Sequence, residues 1–278
     1  MSRNIDLLHG EGILGSEKLF FQTTGQYIAQ NSDNQLVLTE TYKLPITIVF
    51  WDISGFSRLA RALYELDQEQ IVLEFLEKYY KIARQIITRN NGIWDKAIGD
   101  GIMSWFGSFD NSRDKIQPTD EGALDAINAA VELRNSFKSL KEELKNEWLC
   151  RLSLQEENQP KGKVKSVRTQ TARRIFEENN GAQSLAKNKA SLFDFDLKCG
   201  INTGAARVCL IYNQFTAVGT NVNIASRLQE FAKIDQIVIS CSTERKIRDK
   251  HFMLRKILIN SNNPIKSFED IDCCYEII

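Results

Sequence analysis

The sequence predicts an α+β domain in which an antiparallel-rich sheet carries helices on one face. Runs of β-branched and aromatic residues alternate with longer segments whose apolar residues recur every three or four positions. Gly, Asn and Pro residues punctuate these segments. The resulting order of elements is β-α-α-β-β-α-β-β-α-β, which is typical of a sheet whose strands are joined by both hairpins and helices.

The first strand of this order carries an acidic residue at its end. Residues 1–45 mix Gly, Gln, Asn and Thr with short apolar groups, and we expect them to form an N-terminal arm on a domain of residues 46–278. From Ile46 the chain is β-branched and aromatic up to Asp52, and Ser-Gly-Phe-Ser follows closely. This pattern predicts a buried strand that delivers Asp52 to a loop with free backbone N–H groups.

A second acidic residue is expected beside Asp52. Helical spacing predicts two helices separated by residues 65–68, and Asn90-Asn-Gly92 ends the second. Apolar residues then flank Ile98-Gly-Asp-Gly101, which predicts two short strands joined by a tight turn that carries Asp100. Both carboxylates then lie at one end of the sheet, an arrangement suited to Mg²⁺ or Mn²⁺.

The remaining elements are predicted from capping, turn and periodicity signals. In chain order they are a helix capped by Thr119, strands at 193–204 and 206–211 joined by a glycine-containing turn, a helix from Thr220 to Phe231, and strands at 234–240 and 271–277. A polar insertion at about 150–193 interrupts this series. Its composition is typical of a solvated loop with a helix at 168–178, or of a contact with a partner.

Composition argues against several classes of protein. Lys plus Arg and Asp plus Glu both number 36, so no net charge draws the chain to nucleic acid or to an anionic membrane. The six cysteines form no C-x-x-C pair, and with two histidines there is no zinc-site spacing. No apolar segment reaches the roughly 20 residues of a membrane span, and no signal peptide is recognisable. We therefore expect a cytoplasmic protein without a nucleic-acid or membrane partner.

Four motifs in order carry a family resemblance. They are Phe50-x-Asp-Ile-Ser-Gly-Phe-Ser57, Lys96-Ala-Ile-Gly-Asp100, Gly200-Ile-Asn-Thr-Gly204 and Val218-Gly-Thr-Asn-Val-Asn-Ile-Ala-Ser-Arg227. From about Pro45 to the C-terminus, apart from the insertion, the chain resembles the catalytic domain of class III nucleotidyl cyclases. The resemblance implies a ferredoxin-like domain that forms a head-to-tail homodimer with two active sites at the interface.

The resemblance also implies metal and phosphate roles. Asp52 and Asp100, with the backbone carbonyl of Ile53, are expected to hold two divalent metal ions, Mn²⁺ or Mg²⁺, per site. Residues 53–57 begin a helix, so their N–H groups suit the phosphates of a nucleoside triphosphate. The expected substrate-binding residues on this side are Phe50, Ser54, Gly55, Phe56 and, near the C-terminus, Lys266, where Ser267 replaces the glycine usual in the family.

Ribose and base recognition are expected from the other subunit. In the family an Asn and an Arg on one helix position the ribose and stabilise charge at the transferring phosphorus; here they match Asn223 and Arg227, four residues apart. A Lys and an Asp or Thr read the base edge, and here they match Lys96 and Thr216. This pair resembles adenylyl cyclases, but Lys only donates hydrogen bonds, so a pyrimidine acceptor fits it as well.

The base is therefore open between two classes. We recognise no sensor, transmembrane or receiver segment, and Trp51 fills a position where small or polar residues are frequent in adenylyl cyclases. Both features resemble the bacterial pyrimidine cyclases of antiviral signalling, so we favour UTP or CTP as substrate, with a separate cyclic-nucleotide-responsive effector. An adenylate cyclase that makes cAMP is the alternative, and Trp51 also fits a simple core position. A cyclase-like regulatory module without turnover is a third interpretation, which the presence of Asp52, Asp100 and Arg227 disfavours.

Overall fold

A computed structural model describes residues 42–107, 121–157, 193–211, 214–259, 265, 268 and 271–278. The expected N-terminal arm up to residue 41, the cap at Thr119, the helix at 168–178 and Lys266 lie outside the described residues. Within the described part of the chain, no helix has the length and apolar content needed to cross a membrane.

Eight strands and five helices are described. The strands are β1 Tyr42–Ser54, β2 Gly92–Ile98, β3 Gly101–Phe106, β4 Asp196–Ile211, β5 Gln214–Val218, β6 Ile237–Ser240, β7 Leu254–Leu258 and β8 Cys273–Ile277. The helices are α1 Phe56–Glu65, α2 Glu69–Arg89, α3 Glu121–Glu157, α4 Thr220–Phe231 and α5 Cys241–Ile247. The predicted α+β order is confirmed up to α3 and again from α4 to β6. The strands predicted at 193–204 and 206–211 form the single strand β4, and β5, α5 and β7 were not predicted. Helix α3 also continues past residue 150, where the insertion was expected to begin.

The strands form one sheet with the order β2-β3-β1-β4-β6-β8-β7, and β5 pairs with β4. Every pairing is antiparallel except that between β4 and β6, so the prediction of an antiparallel-rich sheet is confirmed. Strand β1 lies between β3 and β4, and its end places Asp52 opposite Lys198. The central strand therefore carries Asp52 to an edge where the chain turns into α1.

The prediction that helices lie on one face of the sheet is wrong. Val49, Trp51 and Ile53 of β1 belong to a core with apolar side chains of α1, α2 and α3. The alternate residues Ile46 and Ile48 pack in a second core with side chains of α4. Because β1 is apolar on both faces, each face needs a covering layer, and α4 supplies the second one.

The predicted turn at Gly204 is also wrong, because β4 continues without a break from Asp196 to Ile211. Gly200 and Gly204 instead face α4. A Cβ atom on Gly200 would lie 2.1 Å from the backbone N of Gln229, and one on Gly204 would lie 2.4 Å from Cγ of Asn221. These two glycines allow α4 to approach the strand closely, which is the use of glycine inside a strand rather than at a turn.

Candidate active site

The two predicted metal-binding aspartates meet at the end of β1. The backbone N–H of Ile53 donates a hydrogen bond to Oδ2 of Asp100 at 3.2 Å, which ties the β2–β3 turn to the residue after Asp52. Gly101, the residue after Asp100, packs closely against the end of β1. A Cβ atom on Gly101 would lie 3.0 Å from the carbonyl oxygen of Trp51 and 3.7 Å from Oδ1 of Asp52. The structure therefore brings Asp52, Ile53 and Asp100 together as the sequence predicted.

Two carboxylates and one lysine lie close together at this edge of the sheet. Burial, and then the negative charge of Asp52, raises the pKa of Asp100 above its usual range. Nζ of Lys198 lies 3.3 Å from Oδ2 of Asp52. The sequence reading missed Lys198, although its place opposite Asp52 follows once the register between β1 and β4 is known. An oxygen-rich donor set that attracts a cation fits a divalent metal ion.

A tyrosine holds the turn that carries Asp100. The hydroxyl of Tyr80, on α2, donates a hydrogen bond to the backbone carbonyl of Gly99. Burial, followed by the charge of Asp100, raises the pKa of Tyr80, so its hydroxyl keeps the proton that it donates. Gly99 has a φ of 62°, which favours glycine at this point of the turn. Tyr80 was not predicted as a site residue because its partner is a backbone atom.

The predicted phosphate-binding segment begins α1 beside the aspartates. Gly55 adopts a left-handed φ of 89°, and no side chain among the described residues caps the first turn of α1. The backbone of Asp194 also comes close, since a Cβ on Gly55 would lie 2.7 Å from its carbonyl oxygen. Ser54 and Phe56 are half-buried on either side, and Phe50 is half-buried two residues before Asp52. The arrangement leaves the first N–H groups of α1 suited to an anion.

The predicted base-reading pair forms a direct contact. Nζ of Lys96, on β2, lies 2.7 Å from Oγ1 of Thr216, on β5, although 120 residues separate them in the chain. Behind them lies Asp95, which is fully buried and was not predicted. Its carboxylate accepts hydrogen bonds from the Thr216 hydroxyl and from the Ala217 N–H, both at 2.8 Å. The buried carboxylate of Asp95 therefore holds Thr216 in place beside Lys96.

The predicted ribose and transition-state residues lie on α4. Val222, Ala225 and Leu228 are buried, whereas Asn223 is exposed and Arg227 is partly exposed, as expected for a helix with one apolar face. Nη1 of Arg227 pairs with Oε2 of Glu230 at 2.6 Å. Within the described part of a single chain, no hydrogen bond or ion pair joins Arg227 to the aspartate pair. The metal-side and ribose-side residues thus form two separate groups.

Comparison with known proteins agrees with this fold and these motifs. The family model of the adenylate and guanylate cyclase catalytic domain matches residues 39–261, well over half of the chain. A terminal-differentiation-specific adenylate cyclase of Dictyostelium discoideum is 33% identical over 112 residues, which cover 40% of this chain and 5% of that protein. The chain therefore spans only a small part of that relative.

Solved structures show the same architecture. The adenylyl cyclase CyaB from P. aeruginosa superposes with a TM-score of 0.61 at 23% identity, over 86% of this chain and 96% of that one. The guanylyl cyclase Cya2 gives a TM-score of 0.58 at 20% identity, over 86% and 94% of the two chains. At these identities the likeness concerns the fold. Together with the match to most of the sequence, it shows that the chain belongs to the adenylate and guanylate cyclase catalytic domain family of class III nucleotide cyclases.

Proposed function

We propose that this chain converts a nucleoside triphosphate into a 3′,5′-cyclic nucleotide and pyrophosphate, at sites shared between two copies of the chain. The ribose 3′-oxygen forms a bond to the α-phosphorus, the bond from that phosphorus to the bridging oxygen breaks, and the 3′-hydroxyl proton leaves to solvent. The observation that carries this proposal is the meeting of Asp52 and Asp100 beside the uncapped start of α1.

The donor set at this edge fits divalent metal ions. Asp52, Asp100 and the carbonyl of Ile53 offer hard oxygen ligands, and the pKa of Asp100 is raised by burial and then by the negative charge of Asp52. Mg²⁺ or Mn²⁺ bound there would supply Lewis-acid chemistry, lowering the pKa of the ribose 3′-hydroxyl and offsetting charge on the phosphates.

The chain's own residues divide the remaining work. The Ile53 N–H is already bonded to Asp100, so the N–H groups of residues 54–57 bind phosphate oxygens, and Lys198 stands beside Asp52 as a further cation for them. From the second copy, Arg227 offers a planar guanidinium to the charge that develops at phosphorus, and Asn223 orients the ribose. Arg227 pairs with Glu230 in one chain, so its guanidinium would exchange that carboxylate for the group that a second copy presents.

Two copies are proposed because one chain separates the two groups of residues. Lys96 contacts Thr216, and Asn223 and Arg227 lie on α4, where Asn223 is exposed and Arg227 is partly exposed. A second copy placed head to tail would supply these residues to the first copy's aspartates, and the first copy would do the same in return. Each interface would then hold two complete sites.

The position of Trp51 bears on which base the site accepts. The preference for a pyrimidine substrate, its antiviral role and its separate effector stay predictions. Trp51 does not support them, because it is 1% exposed and packs in the core on the face away from α4. Its size therefore reflects core packing and not contact with a base.

The test is incubation of the purified chain with Mn²⁺ and each of the four nucleoside triphosphates in separate reactions. We expect cyclic product from at least one of them, and a loss of about a thousandfold or more in Asp52→Ala, because that change removes a metal ligand without emptying the core. Asp235→Asn is the control, since it removes the charge of a carboxylate that pairs with Lys138 at 2.6 Å from its Nζ, and Asn tolerates the φ of 63° at this position. No cyclic product from any triphosphate would overturn the proposal and favour a regulatory module.

A further inference from the structure

We infer that Asp95 is a positioning residue that fixes the hydrogen-bond polarity of the base-reading pair, so that the site accepts a base with an exocyclic amino group next to a ring-nitrogen acceptor. Because it rests on the proposed function, this inference narrows the substrate of the same site to ATP or CTP. Asp95 does this through Thr216 and Lys96 and does not itself touch the base.

A bulge in β2 delivers Asp95 to its place. Trp94 pairs with Ser104 and Lys96 pairs with Met103, so Asp95 is an extra residue on its strand. Such a bulge re-aims side chains at a sheet edge. As a result the consecutive residues Asp95 and Lys96 both reach Thr216 on β5, and the side chain of Asp95 is completely buried.

Three donors among the described contacts of Asp95 show that both of its carboxylate oxygens act as hydrogen-bond acceptors. Ala217 N–H can only donate and lies 2.8 Å from Oδ2, and the Lys96 ammonium can only donate and lies 3.3 Å from Oδ1. Burial raises the pKa of Asp95, whereas these donors and Thr216 oppose that rise. The Thr216 hydroxyl has one proton, and the 2.8 Å contact to Oδ1 of Asp95 uses it. The oxygen of Thr216 can therefore only accept a further hydrogen bond.

The pair consequently presents one acceptor and one donor to a base. Thr216 accepts, and Lys96 has three N–H groups, of which Asp95 and Thr216 use two. Adenine offers its 6-amino group beside N1, and cytosine offers its 4-amino group beside N3, so both match this pattern. Guanine and uracil present a carbonyl beside a ring N–H, which reverses donor and acceptor at both positions. The site would then leave two polar groups mispaired, which costs binding.

The first experiment compares the four triphosphates with the unchanged chain, by cyclisation and by equilibrium binding. We expect ATP, CTP or both to exceed GTP and UTP by at least about tenfold in kcat/KM and in affinity. If cyclic product forms but GTP or UTP is used as well as ATP and CTP, the inference fails while the proposed function stands. If no product forms, the proposed function fails, and equal binding of all four would overturn the inference as well.

The second experiment is Asp95→Asn. Its amide oxygen must still accept from Ala217 N–H, so its NH₂ group faces Thr216 and donates to it. The Thr216 hydroxyl can then rotate and donate its hydrogen bond to the base. We therefore expect the preference for amino bases over carbonyl bases to fall about tenfold or more. A merely structural role would lower activity on all four bases and leave their ratio unchanged, and that result would contradict the inference.

Three control variants distinguish a loss of base preference from a general loss of activity. Thr216→Ser retains the hydroxyl and should retain the preference, whereas Thr216→Val should lose activity on amino bases without gaining any on carbonyl bases. Asp196→Asn removes the carboxylate that pairs with another partly exposed lysine, Lys141, at 3.0 Å, and should leave the base ratio unchanged. If Asp95→Asn does not fold, the comparison of Thr216→Ser with Thr216→Val decides the matter, and an equal base ratio in these two variants would overturn the inference.

Discussion

Nζ of Lys198 lies 3.3 Å from Oδ2 of Asp52, directly across the ladder between β1 and β4. Without a metal ion, this ammonium is the cation nearest to the acidic edge among the contacts described for Asp52. A divalent ion that binds Asp52 must therefore displace or repel the ammonium. We therefore expect Lys198 to lower the affinity for metal alone and to meet phosphate once metal and nucleotide bind together.

Lys198→Met should tighten the binding of Mn²⁺ in the absence of nucleotide. Removal of a partly buried like charge within a few ångströms should raise the affinity about fivefold, while the binding of a triphosphate becomes weaker. Titration calorimetry with and without nucleotide measures both changes. Lys138→Met is the control, because Lys138 pairs with Asp235 outside the site. Unchanged or weaker Mn²⁺ binding in Lys198→Met would contradict the assignment of Asp52 as a metal ligand.

Asp100→Asn should raise the thermal stability of the metal-free protein. Burial and the charge of Asp52 raise the folded-state pKa of Asp100 above 3.8, so the stability linked to its protonated form is complete below 3.8 and is lost as the pH rises through the folded value. Asn removes that loss and still accepts from Ile53 N–H. Melting curves in EDTA from about pH 3.5 to pH 8 should show a higher Tm for the variant at neutral pH, with a gap that narrows toward acid. A lower Tm at neutral pH would contradict this account.

Gly200→Ala should displace α4 from the sheet. The new methyl group would lie 2.1 Å from the backbone N of Gln229, and rigid backbone cannot move away cheaply. We expect the free energy of unfolding to fall by about 1–3 kcal/mol and cyclisation to fall further than Mn²⁺ binding, because Arg227 moves with α4 while Asp52 does not. Urea denaturation, calorimetry and kcat measure the three effects. Ala205→Ser, at an exposed position of β4, is the control, and an unchanged kcat in Gly200→Ala would contradict the role of this packing.

Local sequence patterns were enough to predict that Asp52 and Asp100 lie at the same end of the sheet. The β-branched and aromatic run that ends at Asp52 and the tight turn at Asp100 are each read within a dozen residues, because strands and turns depend on neighbours in the chain. The junction between α1 and α2 at residues 65–68 was predicted for the same reason. The structure places each of these features as expected.

Features that depend on distant contacts were missed or misread. Gly204 in isolation indicates a turn, and only the approach of Asn221 shows that it serves helix packing. Asp95 looks like an ordinary charged neighbour of Lys96 until Thr216, 121 residues away, packs against it. The second helical layer had a signal in the sequence, since both alternating faces of β1 are apolar, and that signal indicates cover on both sides.

The most direct test of a site shared between two copies is complementation of two inactive variants. Asp100→Ala lacks a metal ligand and Arg227→Ala lacks the guanidinium, and a mixed dimer of the two contains one site in which both are intact. With random exchange, half of the dimers are mixed and each has one of two sites restored, so we expect about one quarter of the activity of the unchanged protein. Native mass spectrometry establishes that mixed dimers have formed. Activity near one quarter is the predicted result, and no recovery in a sample that contains mixed dimers would contradict the shared site.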